Sequence, residues 1–335
     1  MHSALVVGAG GMGRAWARAL MARPDVAIVG WVDVVGERAE RAVRELGLSA
    51  TAVHDDLEGS LSQLKPDFLV DAAVPEAHAE VTLLGLERGV AVLGEKPMAT
   101  TLREAQSLVQ ASEETGTLFV VSQNRRYDKG LAALRNVVSA QLGGAGQINA
   151  EFYRGPHFGG FRDEMDSPLL VDMAVHTFDQ ARYITGADPV SVSCSEYNPP
   201  WSWYKGAASA VADFELTAGA HFSYEGSWCA QGLETSWQSS WRVLGPNGAA
   251  SWDGAGELVV ERALGPEGGQ RPGPVRLDPP PIAFEGLAGV LAEFIAALEG
   301  GPVPMTECHD NIKSFAMVMA ALESARTGRR TPVTW

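Results

Sequence analysis

The sequence predicts two domains, α/β then α+β: an N-terminal doubly wound parallel sheet over residues 1–122, then a large, mostly antiparallel open sheet over 123–335. Three observations lead there. Between about residues 4 and 121, short apolar β-rich runs alternate with amphipathic stretches, the rhythm of repeated βα units. Beyond Ser122, Trp, Tyr and Phe become frequent, and residues 210–216 and 221–228 alternate apolar with polar, as in strands buried on one face. Finally, 335 residues with 46% hydrophobic and 20% charged content suffice to bury cores in two domains.

Each element follows from its local pattern. Runs at 4–7, 27–33, 68–72, 91–93 and 118–121 read as strands, with helices over 12–22, 36–46, 77–88 and 102–115. Two late helices are expected at 286–298 and 307–327. Residues 265–281 are too rich in Gly and Pro to pack a core and read as a loop or edge excursion.

The first strand runs into Gly8-Ala9-Gly10-Gly11-Met12-Gly13, a G-x-G-x-x-G at the mouth of a helix. In that context it predicts a Rossmann dinucleotide site. Gly8 permits a tight turn, Gly10 lets the backbone approach a pyrophosphate, and Gly13 allows close helix-to-strand packing, with Gly11 and Met12 between them. The helix N-terminus favours the phosphate charge. Asp33, 20 residues beyond Gly13, is placed to accept both adenosine ribose hydroxyls. Val34, Val35, Gly36 and Glu37 offer no cation for a 2′-phosphate, so NAD is expected rather than NADP.

A formal charge of -15 speaks against nucleic-acid or anionic-membrane partners, which need clustered Lys and Arg. Cys194, Cys229 and Cys308 suggest neither a disulfide framework nor a metal site. With no leader pattern and no apolar run approaching 18 residues, the cytoplasm is the expected compartment.

Beside the glycine motif, Glu95-Lys96-Pro97 resembles the signature of the Gfo/Idh/MocA family, which includes glucose-fructose oxidoreductase and inositol dehydrogenases. Val74-Pro75-Glu76-Ala77-His78 resembles the family's turn near the nicotinamide. Asn124-Arg125-Arg126-Tyr127 resembles its entry to the second domain, and the stretch from Asp172 to Asp179 its D-x-G-x-H-x-x-D helix. Ala174 stands where the family usually has Gly, and Ser167-Pro168-Leu169-Leu170 replaces a Gly-rich lead-in, marking a divergent branch. The resemblance implies cofactor contacts at Val74, Pro75, His78, Glu95, Lys96 and Asn124, and a Lys96-Pro97 peptide that is cis. With the antiparallel sheet's open face, it also implies a homodimer or homotetramer built through that sheet.

Oxidising a secondary alcohol needs a hydride acceptor and a base for the hydroxyl proton. His176 suits the base, since an ordinary histidine titrates near neutrality. Asp172, four residues earlier in a helical stretch, is placed to orient it, with Asp179, three residues later, an alternative partner. Lys96, at a strand's carboxyl end, is suited to hold the reacting oxygen. Arg126, Tyr153, His157, Trp201 and Trp203 are further candidates to bind a polyhydroxylated substrate, against a structural role for each. The expected protein is an NAD(H)-dependent dehydrogenase of a sugar, glycoside or cyclitol. An NAD-dependent glycosidase of the same fold and a noncatalytic NAD-binding sensor stay open alternatives.

Overall fold

The computed structural model describes residues 1–264 and 273–335. The chain forms two compact units, Met1–Asn124 with Phe284–Ile312, and Arg125–Ala283 with Lys313–Trp335. The second crossing corrects the single cut expected at residue 122. Helix Gly286–Leu298 belongs to the first unit because Val290, Leu291, Phe294 and Ile295 are buried there, Phe294 meeting Phe68 edge-on with ring centroids 5.2 Å apart.

In the first unit, β1 (His2–Val7), α1 (Gly11–Met21), β2 (Val26–Val32), α2 (Gly36–Leu46), β3 (Ala52–His54), α3 (Leu57–Leu64), β4 (Phe68–Asp71), α4 (Pro75–Glu87), β5 (Ala91–Gly94), α5 (Leu102–Thr115) and β6 (Phe119–Val121) follow in order. The strands form one parallel sheet ordered β3-β2-β1-β4-β5-β6, a doubly wound sheet that reverses between β1 and β4. Strand interiors such as Ala4–Val6 and Phe68–Val70 are fully buried, as a sheet covered on both faces requires. The pair β3 and α3 was not expected from sequence. β3 is a three-residue edge strand of half-buried residues, and α3 is held by its cap, Asp56, whose carboxylate accepts from the amides of Glu58 and Gly59.

The second unit carries α6 (Lys129–Ala140), β7 (Gln147–Tyr153), α7 (Val175–Thr185), β8 (Pro189–Tyr197), β9 (Ser209–Leu216), β10 (His221–Ser227), β11 (Ser240–Gly245), β12 (Gly248–Trp252), β13 (Leu258–Arg262), β14 (Val275–Leu277) and β15 (Thr331–Pro332). They form a nine-stranded sheet ordered β14-β13-β12-β11-β7-β10-β9-β8-β15, antiparallel throughout except for β7 beside β10. Within the expected loop, 275–277 makes the edge strand β14; residues 265–272 of it lie outside the described residues.

Alternation divides this sheet into two faces. Phe152, Phe214, Phe222 and Tyr224 are buried, whereas Glu151, Val211, Glu215, His221 and Glu225 are exposed on the other side. α7 covers the apolar face: Phe178 packs on Phe214, Phe222 and Tyr224 with centroids 4.8, 6.1 and 5.2 Å away. Burial of such aromatic clusters supplies most of the driving force for docking the helix.

Candidate functional site

The glycine loop leaves β1 at the reversal point of the first unit's sheet. Gly8 has φ +92°, and a Cβ there would lie 2.4 Å from the Ala72 carbonyl oxygen. At Gly13 a Cβ would lie 1.9 Å from the Gly8 oxygen. Both positions therefore exclude side chains for reasons of packing. A Cβ at Gly10 or Gly11 would meet nothing within 4 Å, so these two glycines keep a space clear above the loop. Gly10 caps α1 without a side-chain hydrogen bond, and no acidic residue occupies the first turn, so its amides are open to an anion.

Asp33, buried at the end of β2, ties this loop down. One carboxylate oxygen accepts from the Ala9 amide at 2.8 Å and the other from the Val35 amide at 2.9 Å. Each oxygen retains a second lone pair for a ribose hydroxyl. Around the loop Met12, Val34, Val35 and Val74 are exposed apolar side chains, and Pro75 opens α4 directly behind Val74. A clear cradle, a bare helix N-terminus, a buried carboxylate and apolar rims fit a dinucleotide.

His78, in the first turns of α4, is buried with Nδ1 3.0 Å from the Asp71 carboxylate at the end of β4. Burial alone would lower its pKa, but the Asp71 charge and hydrogen bond, with Glu95 adding, hold it above the ordinary histidine value. Thr82 donates to the same Asp71 carboxylate at 3.1 Å. Glu95 is buried and accepts from Trp16 Nε1 at 2.8 Å. Burial raises its pKa, against the pull of the Lys96 charge. Lys96 itself is half-buried just beyond β5, and the Lys96-Pro97 peptide is cis. Asn124 opens a short 3-10 turn at the end of this unit.

In the second unit, Asp172 and His176 are both buried, 8% and 6% exposed. Asp172 lies in a π-helical turn, Leu169–Ala174, that runs into α7, where His176 sits in the first turn. The π turn is wider than an α turn, so residues four apart still stand about one turn apart on one side. Arg162, from the 3-10 turn Gly160–Glu164, donates through Nε to Asp172 at 2.6 Å. This arginine was missed in the sequence, because a single Arg in a Gly-rich loop carries no periodic signal.

Three further candidates have defined surroundings in this unit. Arg126 is buried against Asp179, its Nε and Nη2 donating at 2.7 and 2.6 Å, so its fork forms an internal ion pair. Asp179 also accepts from Ser314 at 2.7 Å, which makes it part of that pair's frame. A buried guanidinium is tolerable only with such a carboxylate. Tyr153 lies on the open face of the sheet beside Glu151 and Glu225, opposite α7, because alternation along β7 turns it away from Phe152. Burial and a hydrogen bond to Glu225 raise its pKa there.

His157 is half exposed, 2.9 Å from Asp163 and 5.0 Å from the Trp203 ring. Trp201 donates to the Cys229 carbonyl at 3.0 Å with much of its ring exposed.

Residues 3–123 match the family model GFO_IDH_MocA, described as an oxidoreductase family with NAD-binding Rossmann fold, and residues 131–251 match the GFO/IDH/MocA C-terminal domain. The protein y4oX of Sinorhizobium fredii is 29% identical over 357 residues, 99% of this chain and 96% of its own. The 1,5-anhydro-D-fructose reductase of Ensifer adhaerens is 23% identical over 341 residues, 98% of this chain and 97% of its own. An Agrobacterium radiobacter oxidoreductase, solved in complex with NAD+, L-tartaric acid and magnesium, shares the fold with a TM-score of 0.87 at 21% identity, over 99% of this chain and 98% of that one. The chain belongs to the GFO/IDH/MocA oxidoreductases and carries their NAD-binding Rossmann domain.

Proposed function

We propose that this oxidoreductase moves a hydride between the nicotinamide of NAD(H) and a secondary hydroxyl of a sugar, glycoside or cyclitol. The observation that carries this reading is the buried Asp172 and His176 one helical turn apart, in a chain that also holds a complete dinucleotide cradle. NAD held in that cradle supplies the hydride acceptor.

His176 takes the hydroxyl proton during oxidation and returns it during reduction. Asp172, itself fixed by Arg162, sets the direction of the imidazole and balances its charge in the protonated state. Lys96 donates to the reacting oxygen as negative charge builds on it. The reduction named for the Ensifer relative also acts on a sugar derivative and supports this substrate class.

The test is absorbance at 340 nm, with NAD and NADP offered separately against inositols, aldoses, anhydrosugars, glycosides, sugar acids and sugar phosphates. NAD-linked turnover is expected; turnover with NADP in preference to NAD contradicts the Asp33 reading. Silence with every substrate, while NAD binds, contradicts the dehydrogenase.

The open face of the nine-stranded sheet carries exposed apolar residues such as Val211 and Tyr197 among its charges, and we place a homodimer or homotetramer contact there. Sedimentation equilibrium at micromolar concentration is expected to give two or four chains, and a monomer rules the contact out. The three cysteines are free and buried, which supports the cytoplasmic expectation. Among the described residues no helix is long and apolar enough to cross a membrane.

A further inference from the structure

The carboxylate of Asp172 stands in a basic, aromatic neighbourhood that a neutral polyol does not require. Arg162 bonds it directly, and its guanidinium lies 4.7 Å from the centroid of the half-exposed Phe161 ring. Arg154 lies 4.5 Å from the Trp237 ring centroid, and Arg125 5.9 Å from the same ring, so two cations share one indole. Phe158, 59% exposed, stacks beside Trp237 with centroids 6.3 Å apart.

Arg125 has no carboxylate in ion-pair range among the described residues, and Arg154 is paired but not fully hydrogen-bonded. Arg154 meets one carboxylate, Glu234, at 3.0 Å and donates to the Thr235 carbonyl at 3.0 Å, while its Nε is buried with no hydrogen-bond partner among the described residues. Arg125 donates to the Trp237 carbonyl. Burial pulls the Arg125 guanidinium down to about 10, the Asp172 charge opposing and the Arg154 charge adding to the fall. Guanidiniums that are desolvated, near enough to repel and backed by aromatic faces form a receptor for an anionic oxygen group.

We propose that Arg125 and Arg154, on the Trp237 ring, bind an anionic substituent of the substrate. The substrate is then a sugar acid or a sugar phosphate, not a neutral sugar or cyclitol. Phe158 and Trp237 take the apolar face of its ring. The proposal rests on the dehydrogenase reading only for the word substrate; the anion site stands on its own geometry.

Titration calorimetry on the full-length protein with saturating NAD tests it, using D-glucuronate, D-galacturonate, D-gluconate and D-glucose 6-phosphate against D-glucose and D-galactose. At least one anion is expected to bind about tenfold or more tightly than its neutral parent. That preference is expected to vanish in Arg154→Gln and Arg125→Gln and to persist in part in Arg154→Lys, with thermal unfolding as the check that each variant folds. Carboxylate preference identifies a sugar acid, and 6-phosphate preference a phosphoryl group. Equal binding of neutral and anionic partners, no binding of any anion, or a preference that survives both glutamine variants overturns the proposal. Absorbance at 340 nm in parallel separates the two claims: anion binding without NADH formation counts against the dehydrogenase and leaves the anion site standing.

Discussion

At the scale of single residues, the glycines of the first loop do two different jobs. Gly13 is closed to any side chain by the Gly8 carbonyl, whereas Gly10 faces open space. Gly13→Ala is therefore expected to lose about 1–3 kcal/mol of stability in denaturant unfolding, as overpacking does. Gly10→Ala is expected to fold with wild-type stability and to bind NAD at least tenfold more weakly, because its Cβ enters the cradle. Unfolding curves and NAD titrations distinguish them; a Gly10→Ala protein with unchanged NAD affinity would show that the cradle is not where the pyrophosphate sits. The G-x-G-x-x-G and Asp33 were legible because their spacing is set by the ligand and the local turn. The pairing of Arg126 with Asp179 was not legible, because sequence shows neither burial nor which partner a charge finds. Arg162 and Arg154 were hidden for the same reason.

At the scale of elements, strand β4 and helix α4 are coupled through the buried Asp71 and His78. The His78 pKa is raised on folding, so the protonated form is favoured by the native state. Its contribution to stability is then complete below the unfolded value near 6.5 and is lost as pH rises through the higher folded value. His78→Asn is expected to cost about 1–3 kcal/mol at pH values below about 6, with the gap to wild type narrowing above that. Unfolding free energies across the pH range check this, and a gap that widens as pH rises contradicts it. Strands with continuous apolar runs, β1, β4, β5 and β6, were readable, as were the alternating β9 and β10. The edge strand β3 was not, since three half-buried residues give no pattern. The π turn at Leu169–Ala174 was invisible because five of its six residues are buried, which erases the helical period.

At the scale of the whole molecule, the chain passes three times between its two units, and only the first crossing lies at a change of texture visible in sequence. The return of Phe284–Ile312 to the first unit was concealed by composition alone, since an apolar helix such as Gly286–Leu298 suits either core. The division assigns the cofactor cradle and Lys96 to one unit, and Asp172, Arg162 and His176 to the other. Each unit carries its own hydrophobic core. The most direct measurement is substrate-dependent NADH formation by wild type, Lys96→Ala and His176→Ala at matched NAD occupancy. Each variant is expected to fold, to bind NAD and to lose about 10²–10⁴-fold in kcat/KM. Full turnover in the His176→Ala protein would contradict it.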